Sequence, residues 1–242
     1  MTKVCTPDKS NGIEVLVGFP QVNNITQMEL EFINISSSAP ISSLAIQLNK
    51  NAFGLSPSSQ QIPFDPPIPQ GSSGRTTVDL QLNPNLLAPI PAGQPASPQI
   101  QVAIKNMTTG NVFYFAASLN LDALFTADGM MERSSFINAW KNIDDRKELY
   151  STVADLPPTS TSIEKVQEKF KAHNIFSIAR RPVPNAEGQE VVYFSMRTKT
   201  DMNFMAELTF KQGVNACKLC VKTENHAFGV AAKVAIENLL RS

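Results

Sequence analysis

The sequence predicts a two-domain α+β protein, in which an antiparallel β-sandwich precedes a domain of helices around a mostly antiparallel sheet. From Ile13 to Phe115, apolar residues alternate with polar ones, which is typical of strands with one buried face. Near Leu121 this alternation gives way to helical spacing, and the segment 122–128 is the predicted junction. We therefore expect a sandwich over residues 1–122 and an α+β domain over residues 123–242.

Short alternating segments in the first half are the predicted strands. They lie at 13–19, 28–32, 44–48, 78–82, 100–104 and 112–115. Clusters of Asn, Ser, Gly and Pro separate them, and none of the intervening stretches has convincing helical spacing, so they predict a sandwich. Two Pro- and Gln-rich stretches, 56–71 and 83–99, are predicted to be long connections between strands.

The second half opens on a predicted helix that contains Trp140, the only tryptophan of the chain. Asp128-Gly129 followed by Glu132 suits a helix N-terminus, and the residues that then share one side are Arg133, Phe136, Ile137 and Trp140. Two interpretations of Trp140 remain open. Its ring either fills the core beneath a sheet or forms the floor of a peptide-binding surface.

Further elements follow this helix and complete the predicted α+β domain. Residues 148–153 resemble a strand, Pro157-Pro158 breaks the chain, and Thr161-x-x-Glu164 is a capping box for a helix that ends near His173. Its apolar stripe consists of Ile163, Val166 and Phe170. Later strands are predicted at 175–180, 190–197, 203–210 and 217–222, and a C-terminal helix with Phe228, Ala231, Ala235 and Leu239 along one side.

The bulk composition excludes several classes of partner. The 21 basic residues balance the 21 acidic ones, so no net field draws the chain to nucleic acid or an anionic membrane. No run approaches the roughly 18 apolar residues that span a bilayer, and no signal-peptide core follows Met1. We expect a cytoplasmic protein with no nucleic-acid partner and no direct membrane insertion, since an extracellular adhesion domain would need a signal peptide upstream.

The sequence assigns no catalytic residue, metal or cofactor. Cys217-Lys-Leu-Cys220, with His226 nearby, could suggest zinc, but this spacing on a strand points the two thiols to opposite faces. Reduced thiols are expected. No nucleophile elbow, phosphate-binding loop or dinucleotide fingerprint is present. An α+β enzyme with an unrecognised carboxylate-based site remains the alternative function.

Two tyrosines are the other candidates for a surface role. Tyr114 lies between Phe113 and Phe115, so its ring faces away from theirs if both phenylalanines are buried. Tyr193 lies among Val191, Val192 and Phe194, where one buried face is hard to assign. Each is either a docking residue or an ordinary half-buried sheet residue.

Several motifs, in one order along nearly the whole chain, resemble a known family. The first are Gln47–Gly54, Gln101–Asn106, Val112–Phe115 and Asp128–Ile143. Ile178–Arg181, Gly188–Tyr193 and Met205–Glu207 continue the series. Together they resemble the C-terminal appendage, or ear, of the beta subunit of heterotetrameric clathrin adaptor complexes.

The resemblance implies an immunoglobulin-like β-sandwich followed by an α/β platform with a mostly antiparallel sheet flanked by helices. It implies no enzyme activity. The implied role is recruitment of clathrin and endocytic accessory proteins, through short peptide motifs, during coated-vesicle formation. Other adaptor subunits would bind through a trunk that this sequence lacks, and the complex would be peripheral on coated pits and vesicles.

The resemblance also implies two sets of binding residues. The platform set is Arg133, Trp140, Glu148, Arg181, Tyr193 and Glu207, and the sandwich set is Lys105 and Tyr114. Trp140 and Tyr193 would seat Phe or Leu side chains of a short helix, whereas Glu148 and Glu207 would pair with a basic ligand residue. A basic position of the family on the last strand aligns with either Cys220 or Lys222.

Overall fold

The computed structural model describes residues 1–37 and 39–242 and shows two compact units. The sandwich unit comprises residues 1–90 and 97–119. The platform unit comprises residues 91–96 and 120–242. The predicted domain boundary between residues 122 and 123 stays a prediction.

The strands of the sandwich unit pair through antiparallel ladders. They are β1 (Thr2–Cys5), β2 (Ile13–Gly18), β3 (Gln21–Val22), β4 (Ile25–Asn34), β5 (Ile41–Leu48), β6 (Leu55–Pro57), β7 (Gln61–Ile68), β8 (Ser73–Leu82), β9 (Gln99–Asn106) and β10 (Val112–Ser118). One sheet has the order β1-β2-β4-β8-β6, with β3 paired to β4, and the other has the order β10-β9-β5-β7.

Alternating side chains of both sheets form the core of this unit. Leu30 and Phe32 of β4 are fully buried, as are Leu44 of β5 and Ile104 of β9. The Phe32 ring meets Phe64 of β7 edge-on at 6.0 Å between centroids, which joins the two sheets. Every strand that alternation predicts in the first half is present, and the predicted β-sandwich is confirmed.

The prediction that 56–71 is a connection is wrong, because this stretch contains β7 and the last two residues of β6. Its prolines hid the strand pattern, yet β7 is the edge strand of its sheet, where a residue without a backbone N–H is tolerated. Only Ile62 and Ile68 of β7 are buried, so the period of two is weak. The stretch 83–99 is a connection up to Pro98, apart from a 3₁₀ turn at Pro84–Leu86, and Gln99 begins β9.

The platform unit contains a five-stranded antiparallel sheet and three α-helices among its described elements. The strands are β11 (Leu149–Ala154), β12 (Phe176–Pro182), β13 (Gln189–Arg197), β14 (Asn203–Lys211) and β15 (Ala216–Lys222), in the order β11-β15-β14-β13-β12. The helices are α1 (Arg133–Asn142), α2 (Ile163–Ala172) and α3 (His226–Arg241). This matches the predicted α/β platform.

The two faces of the platform sheet are covered differently. On one face, Phe194 and Leu208 are fully buried, and the Phe170 ring of α2 packs against Phe194 at 5.0 Å between centroids. On the other face, Phe136 of α1 and Ile143 pack against Met205 of β14. Within the described ranges, no helix has the length and apolar character that crossing a bilayer requires.

Two helix starts differ from their prediction. Helix α1 begins at Arg133, and the Glu132 carboxylate caps it by accepting from the Ser134 and Ser135 amides. Asp128 instead pairs with Arg197, so the Asp-Gly step lies before the helix. In α2 the N-cap is Ser162, whose hydroxyl accepts from the Lys165 amide, rather than Thr161.

The C-terminal helix buries a slightly different stripe from the predicted one. Ala232 and Ile236 of α3 are fully buried, whereas Ala231 is only partly buried. Phe228, Ala235 and Leu239 lie on the buried side as expected. Gly229 also faces inward, because an added Cβ would lie 2.9 Å from Leu149 Cδ1.

Candidate functional site

A groove lies beside α1, where this helix crosses β12 and β13, and we name it the platform groove. Its volume is about 310 Å³. It is lined by Arg133, Phe136, Ile137, Trp140, Lys141, Ile178, Ala179, Arg181 and Tyr193. The floor is aromatic and aliphatic, and the basic side chains stand around it. Such a surface suits an apolar ligand segment with acidic flanks.

An aromatic cluster forms the floor of the platform groove. The rings of Phe136 and Trp140 are stacked, with centroids 5.6 Å apart and planes 18° from parallel. Tyr193 meets both rings edge-on, at 5.8 Å from Phe136 and 5.7 Å from Trp140. Phe136 is buried, whereas Trp140 and Tyr193 are half-buried. Neither open interpretation of Trp140 is complete, because one side of its ring packs on the core and another lines the groove.

The hydroxyl of Tyr193 links two charged groups. Arg181 Nη2 donates to it over 2.9 Å, and the guanidinium carbon lies 5.7 Å from the centroid of the tyrosine ring. Glu207 lies opposite Tyr193 on β14, and its carboxylate interacts with the same hydroxyl. Burial raises the pKa of Tyr193, Arg181 lowers it and Glu207 raises it, with a net increase. The phenol is therefore neutral at physiological pH.

A buried cation lies beneath Trp140. The Lys222 side chain at the end of β15 is only 2% exposed, and its Nζ lies 2.7 Å from Glu148 Oε1 and 2.8 Å from Asp145 Oδ1. It donates to the carbonyls of Trp140, over 3.2 Å, and Ile143, over 3.3 Å. It also lies 4.9 Å from the centroid of the Trp140 ring.

These contacts keep Lys222 charged despite its burial. Burial lowers the pKa of Lys222, but the hydrogen bonds with Asp145 and Glu148 outweigh it and leave a net increase. The carbonyls that it contacts lie at the C-terminal end of α1, where the helix dipole favours a cation. Of the two positions that align with the basic residue of the family, Lys222 is the one that contacts Trp140.

The platform residues named from the sequence share one region. Arg133, Trp140, Arg181 and Tyr193 line the platform groove, and Glu207 adjoins it through the Tyr193 hydroxyl. Glu148 differs, because its side chain is only 9% exposed and is engaged by Lys222. Sequence reasoning expected it to meet a basic ligand residue, whereas the structure shows an internal cation in contact with it. Its part in ligand binding stays a prediction.

The thiols of Cys217 and Cys220 lie on opposite faces of β15. Burial raises the pKa of both thiols to about 12, and the carboxylates of Glu148 and Glu207 add to the increase at Cys220. Both are neutral, buried and unpaired by disulfides. Across the described residues, no group of three or more His, Cys, Asp or Glu side chains is arranged to hold a metal ion.

Tyr150 is a surface residue that sequence reasoning missed. It lies on β11 and is 66% exposed. Strand pairing places it in one row across the sheet with Cys220, Glu207 and Tyr193. Alternation along the strand could have indicated it, because in a strand that starts at Glu148 the side chain of residue 150 lies on the same face as that of the candidate residue Glu148.

The sandwich residues Lys105 and Tyr114 are diagonal neighbours on the outer face of their sheet. Tyr114 pairs with Ala103, and Lys105 pairs with Val112. Tyr114 is 66% exposed, whereas Phe113 and Phe115 are buried. The expected orientation of the Tyr114 ring is confirmed.

Comparison with known proteins shows which family this chain is similar to. Residues 126–240 match the family described as the beta2-adaptin appendage, C-terminal sub-domain. The chain is 30% identical to the AP-1 complex subunit beta-1 of Mus musculus over 234 residues, which are 97% of this chain and 23% of that protein. The corresponding human subunit is 30% identical over 209 residues, 86% of this chain and 20% of that protein. The AP-1 complex subunit beta of Dictyostelium discoideum is 27% identical over 216 residues, 89% of this chain and 22% of that protein.

The chain thus spans less than a quarter of the length of these relatives. The match runs through both compact units and includes the strands and helix that build the platform groove. The chain belongs to the beta-adaptin appendage family of clathrin adaptor beta subunits.

Proposed function

We propose that the platform groove docks short helical peptides that present spaced Phe or Leu side chains. The observation that carries the proposal is the half-open aromatic cluster of Phe136, Trp140 and Tyr193. Aromatic rings fixed by packing bind an apolar side chain with little loss of conformational entropy. Helical peptides commonly use such grooves, with anchors three or four residues apart.

The charges around the groove define which peptides fit. Arg133, Lys141 and Arg181 line it, so acidic residues beside the apolar anchors gain favourable contacts. Glu207 lies at the other side of Tyr193, where it suits a basic residue further along the peptide. The preferred ligand is therefore an acidic and apolar helix with a downstream arginine.

Clathrin and accessory proteins of coated-vesicle formation are the partners that we propose for this docking function. Other adaptor subunits would associate with further parts of a longer beta subunit, as the names of the AP-1 relatives suggest. The corresponding location is cytoplasmic and peripheral, on coated pits and coated vesicles. A second docking site on the sandwich unit would use Tyr114 and Lys105, whose exposed positions on one sheet face support it.

We propose that the chain acts without catalysis or a cofactor. The family assignment does not favour the alternative of a carboxylate-based enzyme. In the candidate site the buried carboxylate of Glu148 is paired with Lys222 rather than with a second carboxylate. Paired carboxylates with separated pKa values are the usual mark of acid and base catalysis.

Calorimetric titration with a helical peptide tests the docking function. The peptide carries two Phe or Leu anchors four residues apart, acidic neighbours and a downstream arginine. Trp140→Ala should weaken binding by about 2 kcal/mol, roughly thirtyfold, because the aromatic ring that seats the apolar anchor is lost. Tyr114→Ala, on the other unit, is the matched control and should bind as tightly as the parent.

A second variant separates binding from folding. Ile137 lines the platform groove and is exposed, so Ile137→Ser should weaken binding without lowering the melting temperature. Trp140→Ala also removes the contacts of Trp140 with Phe136. If Trp140 is mainly a core residue, this substitution should lower the free energy of unfolding by about 3 to 5 kcal/mol. Full affinity in both variants would refute docking at this groove.

A further inference from the structure

A second concave surface of the platform unit lies where the chain turns from β12 into β13 and from β14 into β15. We name it the hairpin cavity, and it is bounded by Ile163 at the start of α2 and by residues of the turns 183–188 and 212–215. Its volume is about 640 Å³, compared with about 310 Å³ for the platform groove. The two surfaces share no lining residue, so the hairpin cavity is a separate candidate site.

The floor of the hairpin cavity is apolar. Ile163 and Phe210 line it and belong to the buried core, with exposed fractions of 6% and 8%. Val214 in the turn between β14 and β15 also lines it and is 50% exposed. A ligand side chain that covered this surface would remove apolar area from water, which favours a large aromatic or aliphatic group.

The acidic groups beside the hairpin cavity are already paired. The Arg180 guanidinium, which lines the cavity, forms ion pairs with Glu164 of α2 and Glu190 of β13. These carboxylates raise the pKa of Arg180, and the hydrogen bond with Arg180 lowers the pKa of Glu164. Among the described residues that line the cavity, Glu190 is the only acidic one. A basic ligand would therefore have to compete with Arg180.

Two lysines near the same turn have no acidic partner. Lys211 lines the hairpin cavity and also a smaller adjoining recess of about 260 Å³, which Lys218 lines as well. Both lysines are exposed, and within the described ranges neither enters an ion pair. The described lining of the smaller recess contains no carboxylate. The charge around this turn thus favours an acidic ligand.

We propose that the hairpin cavity is a further docking surface, which binds an acidic peptide segment that carries one large apolar side chain. The apolar side chain contacts Ile163 and Phe210, and carboxylates beside it pair with Lys211 and Lys218. Both features of the peptide are needed, because the floor is apolar and the unpaired cations lie next to it. This goes beyond the proposed docking at the platform groove, and a partner with two segments would gain affinity by engaging both surfaces.

NMR titration of the ¹⁵N-labelled protein with short peptides tests the proposal. The probe is a blocked peptide with one phenylalanine between two pairs of aspartates. It should shift the amide signals of Ile163 and of the turn 212–215, and its affinity should fall when NaCl is raised from about 50 mM to about 0.3 M. Two comparison peptides, with Asn in place of each Asp or Ala in place of Phe, should each bind about fivefold more weakly. Equal binding of the alanine peptide would show attraction by charge alone and would overturn the proposal.

Opposite charges at one exposed position give a matched pair of variants. Val214→Asp places a carboxylate beside those of the peptide and should weaken binding about threefold, whereas Val214→Lys should strengthen it. Neither should lower the melting temperature, because Val214 is exposed. Lys211→Gln with Lys218→Gln should weaken binding about fivefold. Lys171→Gln removes an exposed charge of α2 outside the cavity and should bind as tightly as the parent. Equal affinity of the two Val214 variants would contradict docking at this turn.

Trp140→Ala separates the hairpin cavity from the platform groove. It should bind the aspartate peptide as tightly as the parent, because Trp140 does not line the hairpin cavity. Loss of binding in Trp140→Ala, with full binding in both Val214 variants, would place the peptide at the platform groove; the inference would fail and the docking function would stand. A parent protein that does not bind the aspartate peptide would also overturn the inference, and the helical peptide would still test the platform groove.

Vesicles with and without phosphatidylserine test whether the two lysines serve a membrane instead. The parent and the variant without Lys211 and Lys218 should bind neither kind of vesicle. If the parent binds the phosphatidylserine vesicles, that variant does not, and both bind the peptide equally, the lysines recognise an anionic lipid surface. That result would overturn peptide docking at the hairpin cavity.

Discussion

At the scale of residues, Trp140 is fixed by three different contacts. Phe136 stacks on its ring, Tyr193 meets it edge-on, and the Lys222 cation lies 4.9 Å from its centroid. Each contact restricts the rotation of the side chain, and together they leave part of the ring facing the platform groove. Under the proposed docking function, a ligand would meet a ring whose conformational entropy has already been lost on folding, which favours tight binding from a small contact area.

The buried thiols give the platform unit a defined response to pH. The pKa of Cys217 and Cys220 is raised from 9.0 to about 12 in the fold, so the unfolded chain loses these protons first as the pH rises. Their stabilising effect is complete below pH 9 and is lost progressively up to about pH 12. We expect the free energy of unfolding to fall above pH 9, by about 1.4 kcal/mol per pH unit for each thiol.

Urea unfolding at a series of pH values from 7 to 10.5 measures this dependence. Cys217→Ala should lower the stability at all pH values through the lost contacts and should also reduce the alkaline slope. The raised pKa of Lys222 acts in the same direction at higher pH, because a lysine with partners in the fold loses its contribution as it deprotonates. A free energy of unfolding that stays constant between pH 8 and 10.5 would contradict the burial of both thiols.

The sequence alone indicated several residues of the candidate site but not the residues that they contact. Helical spacing placed Arg133 and Trp140 on one side of α1, and alternation placed Tyr114 on the outer face of its sheet. The ion pair between Glu148 and Lys222 could not be read from the sequence, because it joins the residue before β11 to the end of β15. Only the pairing of these neighbouring strands brings the two side chains together.

At the scale of elements, the start of α1 shows how local signals compete. The Asp-Gly step at 128 and 129 suggested a helix start, but the Ser195 hydroxyl accepts from the Met131 amide and donates to the Gly129 carbonyl. An added Cβ at Gly129 would lie 2.7 Å from the Arg197 backbone nitrogen. Gly129 thus permits close packing on β13, and the helix begins only after this contact. Contacts with another strand overrode the local pattern.

The start of α2 provides a prediction with an internal control. The Ser162 hydroxyl caps this helix, so Ser162→Ala should lower the free energy of unfolding by about 1 kcal/mol. Thr161→Ala removes the hydroxyl that the capping-box pattern favoured, but that hydroxyl only donates to the Pro158 carbonyl. Its effect should be smaller. Chemical denaturation of both variants measures the two changes in the free energy of unfolding. A larger decrease for Thr161→Ala than for Ser162→Ala would show that Thr161, not Ser162, caps the helix.

At the scale of the whole molecule, the two sets of candidate residues lie in different compact units. Lys105 and Tyr114 belong to the sandwich unit, and the platform groove belongs to the other. The fold class was predictable because each half has its own periodicity, and the family because several motifs occur in one order. The edge strand β7 was not predictable from alternation, since its prolines are tolerated only through its place in the sheet.

Sites on separate units should contribute independently to the binding of partners. Tyr114→Ala should weaken one subset of ligands and leave those that need Trp140 unaffected. Some partners could carry two peptide motifs, one for each site. For such a partner, the losses of binding free energy caused by the two substitutions should add. Pull-downs from cytosol with the parent and each variant as bait measure the subsets. Equal loss of every ligand in both variants would indicate one shared site or damage to the fold.

The fluorescence of the only tryptophan reports directly on the platform groove. Titration of the parent protein with the helical peptide should shift the emission of Trp140 to shorter wavelength and reduce its quenching by iodide, because the ligand covers the open side of the ring. Both changes should saturate with the affinity that calorimetry gives. A peptide that binds by calorimetry and leaves the emission and the quenching of Trp140 unchanged would show that docking occurs elsewhere.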